Sequence, residues 1–154
     1  MNYIARASWA VASVALDGEV LATVKGVVHA SLPQTPQAAE FAAFCAAADI
    51  STRDFLAFSD CANVVQADSS RGALRYHARY AYSAVVRQRD AVLGGNRCLG
   101  TLKVKSHRRS SEAVNSVYQV LIRGNDHVDI AAGEAAAAHP SVQEQIDEVA
   151  DLVK

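Results

Sequence analysis

The alternation of hydrophobic and polar positions predicts both strands and helices in this chain. Two runs of small apolar and β-branched residues, 8–15 and 20–30, flank Asp17-Gly18, a turn typical of an antiparallel hairpin. Residues 55–60 form a short aromatic-rich run that ends in an acid, and 98–104 alternate apolar positions, so two further strands are expected there. Helical segments are expected at 38–48, 61–67, 72–93, 110–121, 126–138 and 142–154.

The order of these elements indicates an α/β fold with one mixed sheet flanked by helices. The leading hairpin is antiparallel, and the later strands are joined by helical crossovers, which favour parallel pairing. Thr35 and Pro36 suit the N-cap and the first position of the first helix. Gly124-Asn125 is expected to separate the two helices on either side of it. A chain of 154 residues forms one domain, or one domain with an appendage.

Charge is distributed unevenly along the chain, although the formal net charge is only −1. That net charge gives no global electrostatic argument for nucleic-acid binding, but residues 71–109 are strongly basic and the chain from Asp126 onward is acidic. Arg71, Arg75 and Arg79 are spaced four apart and share one face of the predicted helix. This face could follow the backbone of a nucleic acid, or it could simply be solvated.

The cysteines and the hydropathy pattern bear on the compartment. Three cysteines without metal-type spacing are typical of small core residues in a reducing environment. No apolar run is long enough to cross a bilayer, and the N-terminus lacks the apolar region and cleavage pattern of a signal peptide. We therefore expect an intracellular protein, cytoplasmic or nuclear, without a membrane partner.

Three acids have settings that suit a metal site. Asp60 ends a strand, and sites in open α/β sheets gather outside the carboxyl ends of strands. Glu40 is the only charge on an apolar helix, and Asp129 lies in the first turns of a late helix. Carboxylates that meet at one point repel each other, and hard cations such as Mg²⁺ or Mn²⁺ relieve that repulsion. Alternatively, Asp60 caps the next helix, and Glu40 lies on an exposed strip where it favours the helix dipole.

Four segments, taken in order, resemble the ribonuclease H domains, most closely those of retroelement reverse transcriptases. They are 35–43 (Thr-Pro-Gln-Ala-Ala-Glu-Phe-Ala-Ala), 58–65 (Phe-Ser-Asp-Cys-Ala-Asn-Val-Val), 104–107 (Val-Lys-Ser-His) and 124–132 (Gly-Asn-Asp-His-Val-Asp-Ile-Ala-Ala). The resemblance covers about residues 7–138 and implies one ribonuclease H-like domain over 1–154, with a C-terminal helix at 141–154. The activity it implies is cleavage of RNA in RNA–DNA hybrids, leaving a 3′-hydroxyl and a 5′-phosphate.

The resemblance also implies roles for individual residues. Glu40, Asp60 and Asp129 would hold two Mg²⁺ or Mn²⁺ ions at the scissile phosphate, and His107 would assist proton transfer or product release. His107 could instead be a loop histidine that contacts phosphate. Together with the basic pattern, the resemblance predicts a set of nucleic-acid contacts: Gln37, Asn63, Arg71, Arg75, Arg79, Lys105 and Arg108.

Two departures from the family pattern leave several functions open. The family begins with a strand that ends in Asp-Gly and supplies a fourth carboxylate, whereas residues 1–8 hold no acid and Asp17 lies in the hairpin turn. The segment 110–121 is an insertion that could shift His107. The first hypothesis is a metal-dependent hybrid nuclease. The second is a catalytically silent module that binds nucleic acid or a neighbouring domain of a longer polyprotein, and the third is a structural domain that docks through its acidic C-terminal helix.

Overall fold

The computed structural model describes residues 7–69, 82–93, 98–105 and 109–139, together with 147, 150 and 151. Within these ranges the chain is α/β, and the expected antiparallel hairpin followed by parallel strands is confirmed. The elements are β1 (Ser8–Val14), β2 (Val20–Val27), α1 (Pro36–Ile50), β3 (Phe55–Ser59), α2 (Ala62–Ser69), α3 (Ser83–Leu93), β4 (Cys98–Lys103), a 3₁₀ turn (Ser110–Glu112) and α4 (Ser116–Ala137).

The hairpin of β1 and β2 is fixed by its turn and by its side-chain alternation. Gly18 has φ +94°, a left-handed conformation that favours glycine, which is why an Asp-Gly pair suits this turn. In the register, Trp9 pairs with Gly26, and the Trp9 indole lies over that glycine. A Cβ atom at position 26 would lie only 2.9 Å from the indole ring, so any other residue would clash with Trp9.

Helices cover both faces of β1. On one face α4 packs against the hairpin, where the Ser8 hydroxyl donates to the Ala132 carbonyl at 2.7 Å and Thr23 contacts His127. Trp9 has the opposite parity in β1 and packs into the core beside α1. The hairpin is therefore the middle layer of an α4, sheet and α1 stack.

The second sheet consists of β3 and β4 in parallel, and it is separate from the first. Phe58 pairs with Leu102 and Ser59 with Lys103, while α2 packs against both strands. Among the described residues β1 pairs only with β2 and β3 only with β4, so the expectation of one mixed sheet is wrong for this part of the chain. The helical layer joins the sheets instead, since α1 packs against β1, α2 and α3.

The core lies under α1. Phe41 is fully buried and stacks on Tyr82, with ring centroids 4.5 Å apart. Val64 and Val86 bring α2 and α3 into the same cluster. Helix α1 is apolar on most sides because it meets a strand and two helices, as the composition of 38–48 predicts.

The late helix differs from its prediction. The sequence predicts two helices separated at Gly124-Asn125, but α4 runs without interruption through both residues. It begins after Asn115, whose side chain accepts a hydrogen bond from the Tyr118 amide at 2.8 Å, and not at Ser110. Buried residues along its length pack against the hairpin, and this packing outweighs the cost of about 1 kcal/mol for a glycine in a helix.

Two predicted helices fall partly outside the described ranges. Of the helix predicted at 72–93, the structure describes 82–93 and shows α3 there. Of the helix predicted at 142–154, it describes only Asp147, Ala150 and Asp151, which are helical and exposed.

Candidate acidic site

Glu40 lies in the second turn of α1, on a helix whose start is well defined. Thr35 caps it by accepting a hydrogen bond from the Ala38 amide at 3.2 Å, and Pro36 takes the first helical position, as predicted. The adjacent Phe41 is fully buried, and Glu40 itself is half-buried. The structure therefore does not place Glu40 on an exposed strip.

Asp60 follows the last residue of β3, at the carboxyl end of the parallel pair. The Ser59 hydroxyl accepts a hydrogen bond from the Cys61 amide at 3.0 Å, which turns the chain toward α2. The Asp60 carbonyl accepts a hydrogen bond from Lys103 Nζ at 2.9 Å, so β4 helps to hold this turn. Because α2 begins at Ala62, Cys61 occupies the capping position, and the interpretation of Asp60 as an N-cap is wrong.

Asp129 lies in the middle of α4, and the expectation that it opens a helix is wrong. It is exposed, and one of its carboxylate oxygens accepts a hydrogen bond from Asn125 Nδ2 at 3.4 Å. Gly124 approaches Val14 and Ala132 contacts Ser8, the two ends of β1. Asp129 lies between these two helix residues and is therefore level with the middle of β1.

The pKa of Glu40 is raised by burial and by two other acids. Burial raises it most, and the negative charges of Asp60 and Asp129 raise it further, from the ordinary value of 4.5 to about 7. Desolvation and like charges both disfavour an ionised carboxyl group. Coulomb interactions are also screened by solvent and salt, so charges that shift a pKa are near neighbours. Asp60 and Asp129 therefore both lie in the neighbourhood of Glu40.

The three acids come from three different elements. Glu40 and Asp129 belong to α1 and α4, which both pack against β1. Asp60 follows the end of β3, in the other sheet. We call this trio, Glu40, Asp60 and Asp129, the acidic cluster.

The chemistry of the acidic cluster fits a divalent cation. Carboxylate oxygens are the preferred ligands of Mg²⁺ and Mn²⁺. A cation would also neutralise the negative charges that add to the effect of burial on the pKa of Glu40. In the described ranges, however, no three side chains of His, Cys, Asp or Glu stand at the spacing of metal ligands. The arrangement is a group of interacting carboxylates and not a preformed coordination sphere.

The structure describes three of the predicted nucleic-acid contacts. Gln37 is half-buried in the first turn of α1, Asn63 is exposed in the first turn of α2, and Lys105 is exposed just after β4. Asn63 and Lys105 thus follow the carboxyl ends of β3 and β4, the same end of the second sheet as Asp60. The other predicted residues lie outside the described ranges: Arg71, Arg75, Arg79, His107 and Arg108.

Two residues that support the acidic cluster were not predicted. Asn125 precedes Asp129 by four residues, a spacing that places both on one helix face and that could have identified it. Lys103 contacts the Asp60 carbonyl because the β3–β4 register pairs it with Ser59. No local pattern in the sequence shows that long-range register.

Comparisons with protein-family models, curated proteins and solved structures gave no match to this chain. None of the helices among the described residues is both long enough and apolar enough to cross a membrane. Any assignment of function therefore depends on the acidic cluster and its surroundings.

Proposed function

We propose that this chain is a ribonuclease H-like domain that hydrolyses the RNA strand of RNA–DNA hybrids with divalent cations. The observation that carries the proposal is the convergence of Glu40, Asp60 and Asp129 from α1, the end of β3 and α4. These three positions are distant in sequence, and each matches an acid of the resembled family. An arrangement that raises a carboxyl pKa to about 7 is costly to keep, so it favours a functional role.

In this proposal the chain's own residues bind and orient the reacting groups. Glu40, Asp60 and Asp129 would hold two Mg²⁺ or Mn²⁺ ions, which when bound supply charge neutralisation at the scissile phosphate and a more acidic water. Lys103 fixes the turn that carries Asp60, and Asn125 orients the carboxylate of Asp129.

Other side chains would bind the substrate around the acidic cluster. Gln37 and Asn63 would contact the hybrid from the first turns of α1 and α2, and His107 would assist proton transfer or product release. Basic side chains would contact phosphates, which dominate nucleic-acid affinity. They are Lys105, Arg71, Arg75, Arg79 and Arg108.

The test is cleavage of a labelled RNA–DNA hybrid in Mg²⁺ and in Mn²⁺. Wild type should cleave the RNA strand, and Asp60→Asn and Asp129→Asn should each lower the rate by roughly a thousandfold or more, the scale on which groups that act as a unit are lost. Asp126→Asn is the matched control, because Asp126 is an exposed acid on the same helix. Equal rates for Asp126→Asn and Asp129→Asn would overturn the assignment.

A second candidate function is hybrid binding without cleavage. It is favoured by the absence, in the part of the chain that the structure describes, of three ligands already at metal-binding spacing. In that case wild type would bind the hybrid, lose affinity as salt rises, and leave the RNA intact in both metals. Wild type that neither cleaves nor binds would exclude both candidates.

A further inference from the structure

A cavity separate from the acidic cluster lies between the end of β4 and the start of α4. It has a volume of about 330 Å³, opens to solvent, and is lined by Lys105, Glu112, Val114 and Tyr118. Ligand pockets range from about 300 to 1,000 Å³, so this one suits a single small unit and not a length of duplex. Glu112 belongs to the 3₁₀ turn, and Val114 and Tyr118 lie on either side, in sequence, of Asn115, the N-cap of α4.

The lining is chemically suited to one unpaired nucleotide. Tyr118 offers an aromatic ring on which a base can stack, and Val114 adds apolar surface. Lys105, at the exposed rim, suits a phosphate. Glu112 disfavours a phosphate inside the cavity, but its carboxylate can accept a hydrogen bond from the exocyclic amino group of cytosine, adenine or guanine.

Helix α4 carries a residue of the cavity, Tyr118, and a residue of the acidic cluster, Asp129. Asn125 follows Tyr118 by seven residues and Asp129 follows it by eleven. These spacings place all three residues on one face of α4. Eleven residues of helix rise about 16 Å. A strand that follows this face from Asp129 would reach Tyr118 after roughly five base steps at 3.4 Å each.

We propose that this cavity binds one unpaired nucleotide of the substrate, on the order of five base steps from the acidic cluster. The proposal rests on the proposed function and deepens it, because it names the substrate class. Hybrids that carry a single-stranded extension bind more tightly than blunt hybrids of the same duplex. Extensions of cytidine bind more tightly than extensions of uridine, which lacks the exocyclic amino group.

Fluorescence anisotropy in the non-cleaving Asp60→Asn background tests this directly. The probes are a blunt hybrid and the same hybrid with a 5′ or a 3′ extension of about six nucleotides, enough to span the distance along α4. Tyr118→Ala should weaken binding of an extended hybrid roughly tenfold and leave the blunt hybrid unchanged, since one stacked base is lost. Tyr118→Phe keeps the ring and should bind as the parent does. Val117→Ala, the adjacent exposed apolar position, is the matched control.

Each outcome decides the proposal. Tighter binding of one extended hybrid, lost in Tyr118→Ala and kept in Tyr118→Phe, supports it. Equal affinities for blunt and extended hybrids overturn it, as does a failure to bind either hybrid. An equal loss of affinity in Val117→Ala and Tyr118→Ala also overturns it. Thermal melts of each variant separate a folding defect from a binding defect. If wild type cleaves but shows no preference for an extension, only the proposed nuclease function stands. If it prefers an extension but does not cleave, only nucleotide binding by the cavity stands.

Discussion

At the scale of single residues, the carboxyl group of Glu40 should make stability depend on pH. Its pKa of about 7 in the folded protein exceeds the ordinary 4.5, so between these values the folded state holds a proton that the unfolded state has lost. Stability from this group is therefore present below pH 4.5 and falls, by on the order of 3 kcal/mol, as pH rises to about 7. Glu40→Gln should remove that fall in urea denaturation at about pH 5 and about pH 8. Glu19→Gln, in the exposed hairpin turn, should keep the fall in stability. If Glu40→Gln shows the same pH dependence as wild type, the fall does not come from Glu40.

Loss of Arg89 should destabilise the helical layer. Its buried guanidinium donates through Nη1 to Asp68 at 2.7 Å and to Asp90 at 3.0 Å, and it lies 4.0 Å from the centre of the Phe44 ring. Removing one partner of a buried ion pair costs about 3–5 kcal/mol. Arg89→Met should lower the free energy of unfolding by that amount, whereas Arg87→Met, at an exposed position, should cost less than about 1 kcal/mol. Similar losses of unfolding free energy in both variants would show that the buried ion pair of Arg89 does not stabilise the fold.

At the scale of elements, the uninterrupted α4 can be tested at its two glycines. A Cβ atom at position 133 would have no neighbour within 4 Å, whereas at position 124 it would lie 3.4 Å from Val14 Cγ2. Gly133→Ala should therefore stabilise the protein by about 0.5–1 kcal/mol, the usual gain for alanine in a helix interior. Gly124→Ala should gain less, because Val14 must accommodate the added methyl group. Chemical denaturation of both variants measures this, and a loss at Gly133→Ala would mean that the helix is broken there.

The sequence predicts the helices and strands whose ends are set by local signals. It does not predict those whose ends are set by packing between distant segments. Thr35 and Pro36 mark the start of α1, and the apolar composition after them indicates burial on several sides, both as observed. Gly124-Asn125 carries an equally clear local stop signal, yet the hairpin packs along α4 and the helix continues. The same packing places Asp129 level with β1, so its nearness to Glu40 could be expected from the resemblance but not from periodicity.

At the scale of the whole molecule, the two sheets of the described residues are joined through the helical layer and not through strand pairing. Helix α1 contacts β1, α2 and α3. The acidic cluster takes one member from α1, one from α4 and one from the end of β3. The negative charges of Asp60 and Asp129 act against an ionised Glu40, and like charges on separate elements destabilise their approach. A cation bound there would reverse the sign of that contribution.

Added Mg²⁺ should therefore stabilise the fold as a whole. A ligand that binds only the folded state at ten times its Kd adds about 1.4 kcal/mol. We expect a higher thermal midpoint with Mg²⁺ at about pH 8, and a smaller rise at about pH 6, where protons compete with the cation for Glu40. Asp129→Asn should lose the rise, and Asp126→Asn, on the same helix, should keep it. An equal rise in all three proteins would assign the effect to nonspecific ion binding. A rise that is lost only in Asp129→Asn would show that the acidic cluster binds the cation even if no RNA is cleaved.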